Sequence, residues 1–194
     1  DKLVFMDELI DVLDAEGNST GKTCLKSIVH KTGLYHATVH IWFHNAQGSI
    51  LLQQRAASKI IYPLLWDVSV AGHVDAGESY RSGAVREIKE EIGLIVDEND
   101  LVKIGVFTSF QKYDTGIIDN EFHHVFITEL KVDIDKLICQ KEEVEALKLV
   151  TTETYYNLLN DAKTSDHFIA SNKKYYEFVL KSVQNKMNTK HHSL

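Results

Sequence analysis

Cysteine, proline and long apolar runs are all scarce in this sequence. Of its 194 residues, only Cys24 and Cys139 are cysteines, and they lie far apart without a Cys-x-x-Cys spacing. Two such residues do not predict a disulfide framework, so we interpret them as ordinary thiols in a reducing compartment. No apolar stretch approaches the length of a membrane span, and the first ten residues do not resemble a signal peptide. We therefore expect a cytoplasmic protein with no membrane partner.

Basic charge is scarce as well. The chain has 21 lysines and arginines against 28 aspartates and glutamates, which gives a formal net charge of −7 at pH 7. A nucleic-acid polymer is bound through a concentrated basic surface, so we expect no such partner. A small anionic substrate remains compatible with this charge, because a bound metal ion reverses the local electrostatic field.

The chain contains no internal repeat and no low-complexity linker, so its length predicts a single domain over residues 1–194. Alternating apolar residues predict strands at 8–14, 37–55 (a hairpin turning at 45–48), 66–73, 101–110, 121–130 and 144–150. Helices are predicted at 79–92, 152–159 and 172–186. Strands and helices mix without strict alternation, which favours an α/β or α+β sandwich over a parallel doubly wound sheet. Exposed strands would also suit a homodimer.

The predicted helix at 79–92 carries three carboxylates. Glu87, Glu90 and Glu91 stand at relative positions zero, three and four, so they fall on one helix face. An acidic helix face is usually only solvated. A divalent cation would turn the repulsion between these charges into attraction, and oxygen-only ligands favour Mg²⁺ or Mn²⁺ over zinc.

The surrounding segment, GHVDAGESYRSGAVREIKEEIGL at 72–94, resembles the Nudix box. That pattern is Gly, five residues, Glu, seven residues, then Arg-Glu-aliphatic-any-Glu-Glu-any-Gly-aliphatic. Every fixed position is matched, by Gly72, Glu78, Arg86, Glu87, Ile88, Glu90, Glu91, Gly93 and Leu94. At average residue frequencies such a match arises by chance in roughly one start position in a billion. The resemblance implies a Nudix-type α/β/α sandwich with a mixed β-sheet.

The resemblance also implies a role for each box residue. Glu87, Glu90 and Glu91 are expected to bind the metal and to be catalytic, with Glu91 or Glu87 also orienting water. The backbone carbonyl of Ala71 is expected as a further ligand. The general base is expected to be a glutamate, and its identity stays open.

Four other box residues have implied structural roles. Arg86 and Glu78 are expected to pair and to fix the loop against the helix. Gly72 would let the backbone approach the metal, and Gly93 would end the helix. The implied reaction is metal-dependent hydrolysis of a diphosphate bond in a small molecule, such as a nucleoside diphosphate derivative or a related organic diphosphate.

Outside the box, the run at 29–59 and the residues before Gly72 resemble type I isopentenyl-diphosphate isomerases, which share the Nudix fold. Their metal site is built from histidines and glutamates. The matching positions here are His30, His36, His73, Asp119 and Glu121. We expect Glu121 among the metal ligands and the other four residues in a second metal site. Each histidine taken alone is more simply a polar surface or capping residue.

The isomerase resemblance further implies that Arg55 and Lys59 contact the substrate phosphates. Two departures oppose isomerase activity. The isomerases carry a proton-transferring cysteine where this chain has Ala71, which has no ionisable group. They also keep only the later box glutamate, whereas this chain keeps all three. The sequence therefore predicts a hydrolase, with an isomerase and a non-catalytic ligand-binding module as the alternatives.

Overall fold

A computed structural model of the chain describes residues 7–161 and 172–191. The strands in this part of the chain are β1 (Leu9–Leu13), β2 (Ser19–Leu25), β3 (His36–His44), β4 (Ile50–Arg55), β5 (Trp66–Asp67), β6 (Val70–His73), β7 (Val102–Lys112), β8 (Ile118–Glu129) and β9 (Val144–Val150). The helices are α1 (Lys26–Thr32), α2 (Tyr80–Ile92), α3 (Thr152–Asp161) and α4 (Lys173–His191). None of these helices is both long and apolar enough to cross a membrane.

Strand β3 is the centre of a seven-stranded mixed sheet with the order β5-β4-β3-β8-β7. It pairs with β8 in parallel and with β4 and β6 antiparallel, while β9 pairs with β4. Strands β1 and β2 form a separate antiparallel hairpin. Strand β7 forms one edge of the large sheet, and association of two copies into a homodimer stays a prediction. The mixed sheet confirms the predicted fold class.

Alternation along β3 sends its side chains into two different cores. Ile41 and Phe43 pack on the side of α2, where Ile88 is fully buried. Trp42 packs on the opposite side, where Tyr176 of α4 lies. Helices therefore cover both faces of the sheet, and each fully buried large side chain contributes about 1.5–3 kcal/mol. This arrangement is the predicted α/β/α sandwich.

The prediction of a single strand at 66–73 was wrong, because the chain changes its pairing strand within this range. Strand β5 pairs with β4, whereas β6 pairs with β3. Ser69 lies at the break, where its hydroxyl donates to the Leu51 carbonyl at 2.5 Å and accepts from the Phe43 amide at 2.9 Å. These side-chain bonds bridge β3 and β4 where the strand ladder is interrupted.

Helix α1 was not predicted, and α4 extends further than the predicted range of 172–186. Helix α1 has only seven residues, no side-chain cap at its N-terminus, and Val29 as its buried residue. So short a helix leaves no apolar periodicity to detect, and it is stabilised by the tertiary structure. Its position matters because it carries one of the predicted metal ligands.

Asp67 yields a prediction for the fold. The Tyr176 hydroxyl donates to its carboxylate at 2.8 Å, and burial raises the pKa of Asp67 from 3.8 to about 6. The stability that the protonated carboxyl contributes is complete below pH 3.8 and is lost as the pH rises through about 6. We expect Asp67→Asn to stabilise the protein relative to wild type by about 1 kcal/mol more at pH 8 than at pH 5.

Urea unfolding of both proteins at the two pH values would measure this difference. The asparagine keeps an acceptor for Tyr176, so the comparison isolates the charge of Asp67. A difference in unfolding free energy that does not change with pH would contradict the prediction.

Candidate active site

The loop and helix that follow β6 bring the predicted box residues together. Ser79 caps the N-terminus of α2 by accepting from the Ser82 amide, and Gly93 ends the helix with φ 67°. Gly72 faces α2, where a Cβ atom on it would lie 2.0 Å from Cδ of Glu87. The Glu87 carboxylate therefore occupies the space that any side chain at position 72 would need, so only glycine fits this arrangement.

Arg86 makes five hydrogen bonds, and three of them connect α2 to β6 and the loop that follows it. Its Nε and Nη2 donate to the two oxygens of Glu78 at 3.1 and 3.0 Å, and Nη2 also donates to the His73 carbonyl at 2.8 Å. Its Nη1 donates to Glu87 at 2.8 Å and to Glu90 at 3.2 Å. All five N–H groups of the guanidinium are thus used. The charge of Arg86 also offsets part of the repulsion between Glu87 and Glu90.

The three box glutamates differ in burial although they share one helix. The Glu90 side chain is 52% exposed, whereas the Glu87 side chain is only 12% exposed and Glu91 only 5% exposed. Burial raises the pKa of Glu87 to about 7 and that of Glu91 to about 8. The Gln53 amide donates to Glu91 at 2.7 Å. A bound cation would favour the charged forms, so this set of carboxylates fits a divalent metal ion.

A second group of metal-ligand type lies on the opposite face of the sheet. His30 of α1, His36 of β3, His73 of β6 and Glu121 of β8 each offer a ligand atom, and these atoms all lie within 4.8 Å of one another. We call these four residues the histidine cluster. Strand register explains it, because His36 pairs directly with Glu121, and His73 pairs with the residue two positions after His36. Three imidazoles and a carboxylate suit a transition-metal ion.

His36 supplies the sharpest indication of a ligand at the cluster. Its Nδ1 lies 2.9 Å from the Leu34 carbonyl, which can only accept, so Nδ1 carries the proton. The lone pair is then on Nε2, which is fully buried and has no hydrogen-bond partner among the described residues. Nε2 lies 3.3 Å from an oxygen of Glu121. Two acceptors at this distance need a cation or a proton between them.

In the structure, the expected metal ligands Glu121 and Asp119 lie near the histidine cluster. Glu121 lies with the histidines and not with the box glutamates, because it pairs with His36 and both side chains point to the face of the sheet opposite α2. Asp119 lies at the margin of the cluster, with Oδ1 3.7 Å from Nε2 of His30. Burial and, to a smaller extent, the neighbouring charge of Glu121 raise the pKa of Asp119 to about 6. Tyr113 hydrogen-bonds Asp119 and so holds it at this margin.

The predicted phosphate-binding residues are only partly available. The Nε of Arg55 donates to the Ile61 carbonyl at 2.9 Å, which leaves its two terminal NH₂ groups for other contacts. Lys59 forms an ion pair with Glu143. Contact of either residue with a substrate stays a prediction.

Lys26 was missed by the sequence analysis. Its ammonium lies 2.7 Å from an oxygen of Glu8. Burial raises the pKa of Glu87 and lowers the pKa of His73, and the positive charge of Lys26 lowers both pKa values. Lys26 is therefore a cation close to the box glutamates and to the histidine cluster. It lies one helical turn before His30, a spacing that has meaning only once α1 is known.

Comparison with known proteins gives a consistent result. The family model described as NUDIX domain matches residues 34–171. The chain is 37% identical over 158 residues to Nudix hydrolase 3 of Arabidopsis thaliana, covering 79% of this chain but only 20% of the plant protein. It is 32% identical over 187 residues to an uncharacterized Nudix hydrolase of Clostridium acetobutylicum, covering 93% and 88% of the two chains.

The isomerase resemblance is matched as well. The chain is 36% identical over 122 residues to an isopentenyl-diphosphate Delta-isomerase of Serratia proteamaculans, covering 63% of this chain and 66% of the isomerase. Among solved structures, a Deinococcus radiodurans protein superposes with a TM-score of 0.64 at 19% identity, covering 92% and 98% of the two chains. At 19% identity the superposition supports the fold and carries no conclusion about function.

Gly72→Ala tests the contact between β6 and Glu87. The added methyl group would displace the carboxylate, so we expect Mn²⁺ binding to weaken by about tenfold or more. The fold should survive, because the displaced atoms are the end of a flexible side chain. Calorimetric titration with Mn²⁺ would measure the affinity.

Gly105→Ala is the matched control, since a Cβ on this strand glycine would approach the Phe107 ring at 3.1 Å and the Phe178 ring at 3.8 Å, neither of which belongs to the box. Equal Mn²⁺ affinity in the two variants would contradict the assigned role of Gly72.

Proposed function

This chain belongs to the Nudix hydrolase family, and we propose that it cleaves the diphosphate bond of a small organic diphosphate with a divalent ion held by Glu87, Glu90 and Glu91. Nudix hydrolases act on diphosphate-containing substrates, and the protein is a hydrolase. The observation that carries the proposal is the burial of Glu87 and Glu91 against the sheet with raised pKa values. Buried carboxylates of this kind are characteristic of functional sites.

We take the substrate to be a nucleoside diphosphate derivative or a related organic diphosphate, and the ion to be Mg²⁺ or Mn²⁺. When bound, the ion neutralises charge on nonbridging phosphate oxygens and lowers the pKa of a water molecule. The carbonyl of Ala71 supplies a further oxygen ligand in this proposal. Glu87 and Glu91 are the candidates for orienting the attacking water.

The remaining residues position the reacting groups. Arg86 keeps the loop and α2 in one arrangement through Glu78, and Gly72 lets β6 approach Glu87. Lys26 and Arg55 are the cations we assign to the substrate phosphates, because the charge of Lys26 acts on Glu87 and His73 and the charge of Arg55 acts on Asp119. Lys59 would have to exchange Glu143 for a phosphate before it could contribute.

The histidine cluster is proposed as a second metal site. His30, His36 and His73 offer neutral imidazole nitrogens, and Glu121 offers a charged oxygen. Burial raises the pKa of Glu121, but the adjacent His36, His123 and His73 lower it well below its usual range, so the carboxylate keeps its charge. A set rich in imidazole would hold zinc more firmly than Mg²⁺ or Mn²⁺.

Isopentenyl-diphosphate isomerase activity is the second candidate, because the histidine cluster matches the metal-site positions of the isomerases. Ala71 opposes it, since its methyl group packs against the apolar core that contains Trp42. Cys139 does not replace the missing thiol, because burial and the charge of Glu91 raise its pKa and keep it protonated. We expect no deuterium incorporation when the protein is incubated with isopentenyl diphosphate in D₂O, and incorporation above background would revive this candidate.

The hydrolase proposal is tested by Glu91→Gln and Glu90→Gln. Each removes one negative charge at nearly constant volume, so we expect turnover of any accepted diphosphate to fall by about 100-fold or more for Glu91→Gln and by a smaller factor for the exposed Glu90. A screen of organic diphosphates with Mg²⁺ and Mn²⁺, detecting orthophosphate or pyrophosphate, would measure it.

Glu98→Gln, an exposed glutamate beyond the end of α2, is the control and should retain full turnover. Full activity in Glu91→Gln would refute the proposed role of the box.

The second metal site is tested by His73→Gln. Removing one imidazole should weaken metal binding at the cluster by about tenfold or more. Cobalt absorption in the visible range reports nitrogen ligation directly and is independent of turnover. Glu91→Gln should keep the cobalt spectrum, because the box glutamates lie on the other face of β6. An unchanged spectrum in His73→Gln would exclude the cluster as the cobalt site.

A further inference from the structure

Gln53 occupies a rigid position next to the box helix. Its backbone lies in β4, with Asp67 of β5 and Leu147 of β9 as its register partners. Only 8% of the residue is exposed, which is unusual for glutamine. A strand paired on both sides holds its backbone more firmly than a loop would. The direction of its side chain is therefore set by the sheet.

The side-chain amide nitrogen of Gln53 donates two hydrogen bonds. Nε2 donates to Oε2 of Glu91 at 2.7 Å and to the Ser69 carbonyl at 3.1 Å. A carbonyl oxygen can only accept, and the other partner is a carboxylate. The nitrogen and not the oxygen of the amide must therefore face them, and both of its hydrogens are used.

Ser69 supplies the second acceptor for the Gln53 amide. Its hydroxyl bridges β3 and β4 through the Phe43 amide and the Leu51 carbonyl, so the Ser69 carbonyl itself has a fixed place. The break between β5 and β6 is what exposes this carbonyl to Gln53. One local irregularity of the sheet thus orients the amide that contacts Glu91.

We propose that Gln53 is a positioning residue that fixes the Glu91 carboxylate for metal binding. The inference rests on the proposed function, because it treats Glu91 as a metal ligand. Arg86 stabilises Glu87 and Glu90 with a positive charge, which competes with a metal ion. Gln53 instead satisfies Oε2 of Glu91 with a neutral donor and leaves the negative charge available to a cation. A donor whose own position is set by the sheet and by the Ser69 carbonyl therefore fixes the orientation of the Glu91 carboxylate.

The test substitutes Gln53→Met, which keeps the length of the side chain and removes the N–H donor. We expect Mn²⁺ affinity to fall 10- to 100-fold, about the range typical of lost outer hydrogen bonds at metal sites. Gln54→Met is the matched control on the same strand. The Gln54 amide donates to the Leu64 carbonyl, away from the carboxylates, so its Mn²⁺ affinity should stay within about twofold of wild type.

A double-mutant cycle separates positioning from general destabilisation. Gln53→Met should have no further effect on Mn²⁺ binding in the Glu91→Gln background, because the residue it positions is already altered. Thermal unfolding without added metal would show that each variant is folded. The inference is overturned if Gln53→Met binds Mn²⁺ as wild type does, if it loses the same factor in both backgrounds, or if Glu91→Gln itself leaves Mn²⁺ binding unchanged.

The binding measurement contains no substrate, so its outcome is separate from that of the proposed function. Gln53-dependent Mn²⁺ binding without any diphosphate turnover would support the positioning role and refute the hydrolase proposal. Metal-dependent turnover together with Mn²⁺ binding that is unchanged in Gln53→Met would support the hydrolase proposal and refute the positioning role.

Discussion

Two carboxylates pressed against the central sheet are the constraint on which the rest of the site depends. A buried carboxylate is costly unless hydrogen bonds or a cation stabilise its charge. Glu87 accepts a hydrogen bond from Arg86 and occupies the space left free by the missing side chain of Gly72. Glu91 accepts a hydrogen bond from Gln53. Helix α2, strand β6 and strand β4 each supply one of these contacts. The geometry of the box is therefore a consequence of keeping two negative charges next to an apolar core.

Strand β6 separates the two candidate metal sites by a single residue. Successive side chains of a strand point to opposite faces, so Gly72 faces α2 and Glu87 while His73 faces the histidine cluster. The cluster in turn depends on β3, whose register with β6 and β8 brings His36 beside Glu121. A shift of one residue in either pairing would move these side chains to the wrong face.

Much of this could be predicted from the sequence, and for identifiable reasons. The glutamates of α2 follow helical spacing and fit a long motif, so Glu87 and Glu91 needed no tertiary information. The sandwich class followed from the mixture of strands and helices, and the α/β/α layer order was implied by the resemblance to the Nudix box. That Glu121 lies beside His36 could not be read from a local pattern, because the parallel pairing of β3 and β8 joins residues 85 positions apart in the chain.

Other features lay beyond the reach of sequence patterns. Ser69 sits in an apolar stretch that looks like one strand, and only the change of partner between β5 and β6 reveals its bridging role. Gln53 is one of two adjacent glutamines, and nothing in QQR distinguishes the one that contacts Glu91. Lys26 belongs to a helix too short to detect. Each acts through a contact that exists only in the folded sheet.

The claim that the buried glutamates bind a metal for diphosphate hydrolysis is tested most directly on the wild-type chain. The measurement is release of orthophosphate or pyrophosphate from a panel of organic diphosphates, made with Mg²⁺ or Mn²⁺ and again after chelation. The account predicts release from at least one substrate that stops on chelation and returns when the ion is restored. Release that persists undiminished in the chelated sample, or none from any member of the panel, would contradict it.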